Sequence, residues 1–477
     1  MKRLSVLIWI TLCVGIMTSC KKDSPAVRSQ TDIALAANYI SDEYGRQLIL
    51  HGLNTASNSK GDVNRMPWII ESDVEREDKE FGFNFVRFLI FWDFVEPQRG
   101  VFNSDYLDEV QKRVEWYTSR GMHVMLDMHQ DLYSLKFGGD GAPNWAVKTD
   151  GNIDLDFGED TPWWLANISP AVVKAWTNFW EYSKYKDLQD HYALMWKFVM
   201  ERFENNPGVI GYDLMNEPWA GDLMKAFITG NFERYQLTAF YNRLIPQLRE
   251  VEPNKYFFYE SAPAPVTFGM PTNLQKLDPS IAKDKLVFAP HCYPLGTHEG
   301  KPYDASNKKM FKDWVRERKK DTKRFGNLSL LCGEFGLSPG VKDFDVYLKD
   351  FGKAMDDNLW HWAYWSNDQG GWSPLNGDRT PTAILPFLVR AYPKATAGRI
   401  QSFSYDYDTK IFTMDFVSDP NISMPTEIFI PKMHFTQGFD ISIETDAPHT
   451  YEYDEQTQVL SLKVEKKAEV KVLISAK

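Results

Sequence analysis

Two glutamates stand where this sequence could do chemistry. Glu217 lies in Tyr212-Asp213-Leu214-Met215-Asn216-Glu217-Pro218 and Glu334 in Leu331-Cys332-Gly333-Glu334-Phe335-Gly336, each closing a short apolar run. Two carboxyl groups brought face to face can cut a glycosidic bond. One acts as acid on the leaving oxygen, and the other meets the oxocarbenium-like centre from the opposite side. Taken singly, either residue could be an ordinary salt-bridged side chain. Their pairing depends on the elements that carry them.

Those elements alternate. Short apolar runs fall at Leu48–Asn54, Phe83–Phe91, His123–His129, Val209–Asn216, Tyr256–Glu260, Leu286–His291, Ser329–Glu334 and Trp360–Trp365. Helical patterns such as Tyr106–Arg120, His191–Phe203, Phe232–Val251, Lys308–Arg324 and Phe344–Asp357 separate several of them. Continuous apolar strands between helices indicate a parallel sheet buried on both faces. Eight of them predict a closed (β/α)8 TIM barrel, with an open doubly wound sheet as the alternative. No glycine-rich phosphate loop follows the first strand, which speaks against the open sheet. Glu217 and Glu334 then end the fourth and seventh strands and face each other across the barrel mouth, with an expected separation of about 5 Å for a retaining mechanism. Arg87, His129-Gln130-Asp131, Asn216, His291 and Trp365 fall at the same strand ends.

From Phe403 the period changes to two, as in Ile411-Phe412-Thr413-Met414-Asp415-Phe416 and Val470-Lys471-Val472-Leu473-Ile474, which predicts a small C-terminal antiparallel β-sandwich. The expected organisation is a signal peptide over 1–19, a lipidated tether over 20–36, the barrel over 37–398 and the sandwich over 399–477.

Lys2 and Arg3 precede an apolar run, Leu4 to Ile16, too short to span a bilayer. Met17-Thr18-Ser19-Cys20 follows and resembles a bacterial lipoprotein cleavage site, with Cys20 as the lipidated residue. The expected location is the bacterial cell envelope, anchored to the membrane by that lipid, on the periplasmic or surface face of the outer membrane. Cys292 and Cys332 are expected to be buried free thiols, although their places at strand ends could bring them close. The 477 residues are 43% hydrophobic and 25% charged, an ordinary globular composition, with net charge −11. An acidic chain without a basic block excludes nucleic acid as a partner. No CxxC or HExxH pattern suggests a metal, no cofactor is expected, and the protein is expected to act as a monomer.

The Asn216-Glu217-Pro218 and Gly333-Glu334-Phe335-Gly336 pair resembles glycoside hydrolase family 5. More specifically, His51-Gly52-Leu53-Asn54-Thr55-Ala56-Ser57-Asn58-Ser59-Lys60, Met125 to Tyr133, Gly141 to Ala146, Pro290-His291-Cys292-Tyr293-Pro294 and Pro425 to Pro431 are similar to the endoglycoceramidases of that family. The resemblance implies release of an intact oligosaccharide from ceramide with retention. It implies Glu217 as acid/base, Glu334 as nucleophile and Asn216 on the sugar 2-hydroxyl. Tyr293 and His291 would orient the nucleophile, Arg87 would keep it ionised, and Trp365 would be the floor of the sugar site. Lys60, His129 and Asp131 would bind hydroxyls. Another family 5 enzyme acting on a soluble β-glucan or a steryl glycoside is the alternative, and a glycan-capture lipoprotein that does not cut is the alternative of another class. A lipid aglycone would need apolar loops. Trp163, Trp164, Trp176 and Trp180 after Asp131, and Trp219, Leu223, Met224, Phe227 and Ile228 after Glu217, could supply them or fold into a cleft wall.

Overall fold

In the computed structural model, residues 39–158, 161–278, 280–281 and 285–477 are described. The expected signal peptide, Cys20 and the tether lie outside them. Ala37 to Lys477 forms one compact unit. Among the described residues no helix is long and apolar enough to cross a membrane.

Eight parallel strands close the barrel: β1 (His51–Asn54), β2 (Phe85–Phe91), β3 (His123–His129), β4 (Val209–Asp213), β5 (Tyr256–Tyr259), β6 (Leu286–Phe288), β7 (Ser329–Phe335) and β8 (His361–Tyr364). All seven residues of β2 are buried, as the unbroken apolar run requires. Close packing of β1 on β2 depends on Gly52, since a Cβ there would lie 1.8 Å from the Phe85 carbonyl oxygen.

The period of two within each strand positions the site. Residues i and i+2 share a face, and along the inner face apolar side chains give way to charged ones toward the C-terminal end. Phe85 is followed by Arg87, Met125 by Asp127 and His129, and Phe258 by Glu260. Phe85, Met125, Phe258, Val287 and Leu331 form the apolar lower core with Ile40, Leu48 and Leu50. The charged layer rests on that apolar plug.

The sandwich packs two antiparallel sheets. One contains β9 (Tyr392–Thr396), β12 (Thr426–Phe429), β15 (Val459–Val464) and β14 (His449–Asp454) in that spatial order; the other contains β10 (Gly398–Asp406), β11 (Ile411–Ser418), β16 (Glu469–Ala476) and β13 (Phe439–Glu444). Its first strand, β9, precedes the boundary expected at 399. The alternation there is obscured by Pro393, a residue that strands hold mainly at edges or irregularities, and the β9–β12 register does shift between Pro393 and Ala395. The run expected as a first barrel strand from Leu48 also divides. Gln47–Leu48 pairs with β9, and the barrel begins at His51.

The two loops expected either to hold a lipid or to fold into a cleft wall divide between burial and exposure. Trp176 and Trp180 are buried and stacked 5.6 Å apart, packed with Phe179 and Phe240 in the aromatic core. Trp163, Trp164, Leu223, Met224 and Ile228 are exposed, from 40% to 62%. The side chain of Phe227 lies outside the described residues. Cys292 and Cys332 are buried and free.

Candidate active site

Glu217 follows β4, and its backbone takes the left-handed conformation, φ +42°. That region is costly for a side-chain-bearing residue and is retained where surrounding contacts impose it. Glu334 lies within β7, almost wholly buried. Carboxylate oxygens of the two, with a ring nitrogen of His291, all lie within 4.8 Å of one another. These three donors could in principle share a cation, but the same spacing suits a nucleophile and an acid/base on either side of a bond.

Each carboxylate has its own supports. Arg87 Nη1 donates to Glu334 Oε1 at 2.8 Å and Tyr293 Oη donates to Glu334 Oε2 at 3.0 Å. His291 Nδ1 pairs with Glu217 Oε1 at 2.8 Å and stands 3.6 Å from Glu334. His291 thus hydrogen-bonds Glu217 and also lies within ion-pair reach of Glu334. Its ring enters that space because residue 333 is glycine; a Cβ there would sit 3.0 Å from Nε2. Burial pushes Glu334 above its ordinary range, against the positive charges of His291 and Arg87. Arg87 thus opposes protonation of Glu334 without by itself deciding its state.

Arg87 is fully buried and faces four carboxylates: Asp127, Asp213 and Glu334 at 2.8–3.0 Å, and Glu260 at 3.2 Å. Its remaining hydrogen bonds go to Asn54 Oδ1 and Asn216 Oδ1. Asn216 also donates from Nδ2 to the Gln130 carbonyl at 3.0 Å, so the amide is braced on both sides and keeps one N–H for a sugar hydroxyl. Burial opposes charge on His291, yet the carboxylates of Glu260 and Glu334 and the hydrogen bond to Glu217 push it well above the ordinary histidine value.

The remaining expected residues form a second group beside the pair. Lys60 Nζ donates to Asp131 Oδ2 at 2.6 Å and lies 4.2 Å from the centroid of the Trp365 ring. That ring stacks on His129 at 5.5 Å and 15°. Burial and the charge of Lys60 keep His129 neutral. Its Nδ1 shares a 2.7 Å hydrogen bond with Asp127 Oδ2, and Nε2 has no hydrogen-bond partner among the described residues. A neutral ring donating from Nδ1 leaves Nε2 as a free acceptor. Burial disfavours charge on Asp131, but the charge of Lys60 holds it well below the carboxylate range. Cation, anion, acceptor and aromatic face together match a sugar ring and its hydroxyls.

Sequence reasoning assigned no role to Asn54, Asp127, Gln130, Asp213 and Glu260. Gln130 Nε2 donates to the carbonyls of Asn216 and Glu217 and fixes the turn that presents the acid/base. The acids were discoverable, since Asp127 and Asp213 are lone charges in apolar runs at inward-facing positions.

A parallel barrel with two carboxylates this close at its C-terminal mouth, above a charged floor, defines a glycoside hydrolase. The chain belongs to glycoside hydrolase family 5. Residues 41–371 match Cellulase (glycosyl hydrolase family 5), and residues 390–474 match the glycoside hydrolase family 5 C-terminal domain. The chain is similar to endoglycoceramidase I of Rhodococcus hoagii, at 29% identity over 88% of this chain and 84% of that protein. It is also similar to endo-glycoceramidase II from a Rhodococcus species. With that protein's ganglioside GM3 complex the identity is 33%, covering 92% of this chain and 99% of the other, with a TM-score of 0.84. With its lactosyl-enzyme intermediate the identity is 33% and the TM-score 0.83, covering 92% and 100%.

Proposed function

We propose that this hydrolase cleaves the β-glycosidic bond between the oligosaccharide and the ceramide of glycosphingolipids, with retention, by double displacement. Glu334 attacks the anomeric carbon while Glu217 gives its proton to the leaving oxygen. The ceramide departs with that proton, and the sugar stays esterified to Glu334. Water then enters on the vacated side; Glu217 takes one of its protons, and its oxygen displaces Glu334 to restore the original configuration. Arg87 and Tyr293 hold the two nucleophile oxygens, His291 and the Gln130-braced turn aim the acid/base, and Lys60, Asp131, His129 and Trp365 seat the sugar.

The observation that carries the reading is the approach of the Glu217 and Glu334 carboxylates, one oxygen of each lying within 4.8 Å of the other across the mouth. Inverting enzymes keep the pair roughly 6.5–9.5 Å apart to admit a water. The lipid half of the substrate is supported by the two relatives, both endoglycoceramidases, and by the exposed Trp163, Trp164, Leu223, Met224 and Ile228 on loops at the same end of the barrel. Cys20 lipidation, which would hold the enzyme at a membrane beside such substrates, belongs to the same proposal and rests on the Met17-Thr18-Ser19-Cys20 motif.

Incubation of purified protein with a ganglioside, in parallel with cellodextrins, tests it. Free ceramide together with the intact oligosaccharide is expected. Shortened glucose oligomers from cellodextrins, with the ganglioside untouched, would transfer the site to a soluble β-glucan.

A further inference from the structure

One buried carboxylate touches the supports of both catalytic glutamates. Glu260 follows β5 and is 2% exposed. Its Oε2 accepts the backbone N–H of Glu217 at 3.0 Å. Its Oε1 lies 3.2 Å from His291 Nε2, on the far side of the ring whose Nδ1 meets Glu217, and 3.2 Å from Arg87 Nη2. Tyr241 fixes its backbone from both directions, donating from Oη to the Glu260 carbonyl at 2.9 Å and accepting from the Glu260 amide at 3.2 Å.

We propose that Glu260 is a positioning residue for the acid/base: through the Glu217 amide and the His291 ring it sets the strained turn and the hydrogen bond that aim the Glu217 carboxyl at the leaving oxygen. This rests on the reading of Glu217 as acid/base. The three partners of Glu260 are not equally dependent on it. Arg87 retains Asp127, Asp213 and Glu334. The Glu217 amide donates to Glu260, and Glu260 is the carboxylate facing His291 Nε2. The left-handed turn at Glu217 is a conformation that persists only where surrounding contacts hold it, and the Glu260–amide hydrogen bond is one such contact. Arg87 Nη2 and the Glu217 amide donate to the Glu260 oxygens, and His291 Nε2 faces Oε1 at 3.2 Å. An isosteric Gln would set an N–H donor against one of these donors.

Leaving-group dependence separates this role from a merely structural one. An alkyl aglycone needs its oxygen protonated as it leaves; a dinitrophenolate does not. In Glu260→Gln, kcat/KM on an alkyl β-glycoside is expected to fall about 100-fold, within the range that acid catalysis contributes. On the 2,4-dinitrophenyl glycoside of the same sugar it should fall less than about threefold, because acid catalysis is not at stake there. Equal losses on both substrates, or no loss on either, would overturn the proposal. Tyr241→Phe, which loosens Glu260 without touching a carboxyl, should show the same split at smaller size. It decides the matter if Glu260→Gln does not fold: a Tyr241→Phe enzyme without the split overturns the proposal. Glu217→Gln serves as reference. If it lacks the split, the acid/base reading itself fails; if it shows the split and the Glu260 variant does not, only the role of Glu260 fails.

Discussion

The phenol of Tyr293 donates to Glu334 Oε2 at 3.0 Å, on the oxygen opposite the one that Arg87 holds. When one nucleophile oxygen becomes bonded to the sugar, a donor held there must find new negative charge, and the developing transition state supplies it. Tyr293→Phe is therefore expected to lower kcat by about 100-fold, as loss of one preorganised donor does. KM should change little. Steady-state kinetics on a chromogenic glycoside check this, and an unchanged kcat would reject the role.

Removing either carboxylate should stop the reaction without unfolding the barrel. Glu217→Gln and Glu334→Gln are each expected to lose at least about 1,000-fold in kcat on a glycolipid substrate, with unchanged circular dichroism. A 2-fluoro-glycoside inactivator should label Glu334 in the native enzyme, and peptide mass spectrometry locates the adduct. An adduct on any other residue contradicts the assignment.

Glu77 offers a test in pH. It is buried in the helix Glu71–Lys79, with Oε1 accepting from Asn367 at 2.6 Å and Oε2 without a hydrogen-bond partner among the described residues. Burial, with Asp73 nearby, pushes its carboxyl up to about 8. The folded protein thus binds this proton more tightly than the unfolded chain. Its contribution to stability is full below the ordinary glutamate value of about 4.3; it is lost progressively as pH rises from there to about 8. Glu77→Gln should stabilise the protein at pH 8 by about 1–3 kcal/mol. It should also flatten the dependence of Tm on pH across that window. A wild-type Tm that rises steadily through the same window, with no gain in the variant, would refute the placement.

Arg87→Met should be among the most damaging single changes in the protein. It strands Asp127, Asp213, Glu260 and Glu334 in a dry floor without their shared cation. Breaking a buried ion pair from one side costs about 3–5 kcal/mol. Urea denaturation measures it. A loss below about 1 kcal/mol, the scale of an exposed ion pair, would contradict the burial described.

The barrel was legible because each strand is buried on both faces and so reads as an unbroken apolar run, as Phe85 to Phe91 does. The juxtaposed carboxylates were legible because Glu217 and Glu334 interrupt such runs where the fold needs no charge. The floor beneath them was less so. Asp127 and Glu260 act through partners contributed by other strands, and an isolated acid in an apolar stretch does not disclose them. The place of His291 between two carboxylates, 2.8 and 3.6 Å away, is likewise set by side-chain geometry, not by spacing along the chain. Leu48 was read with the barrel because the two-residue strand Gln47–Leu48 carries no period of its own. Whether Trp176 and Trp180 face a lipid or fold inward was open in the sequence, and the helix Pro170–Trp180 buries both.

The short strand Gln47–Leu48 makes the enzyme harder to subdivide than its family divisions suggest. It lies against β9, the Gln47 side chain accepts from the Ile400 amide at 3.0 Å, and Arg46 reaches across to Glu427 at 2.8 Å. The segment entering the barrel thereby completes a sheet whose other strands are made some 350 residues later. A nascent chain cannot finish that sheet until the sandwich has been made, and a version cut after the barrel would present an orphaned edge to its neighbours. Grafting a foreign module in place of the sandwich would meet the same obstacle, because the barrel's own leading residues are cut to fit the original.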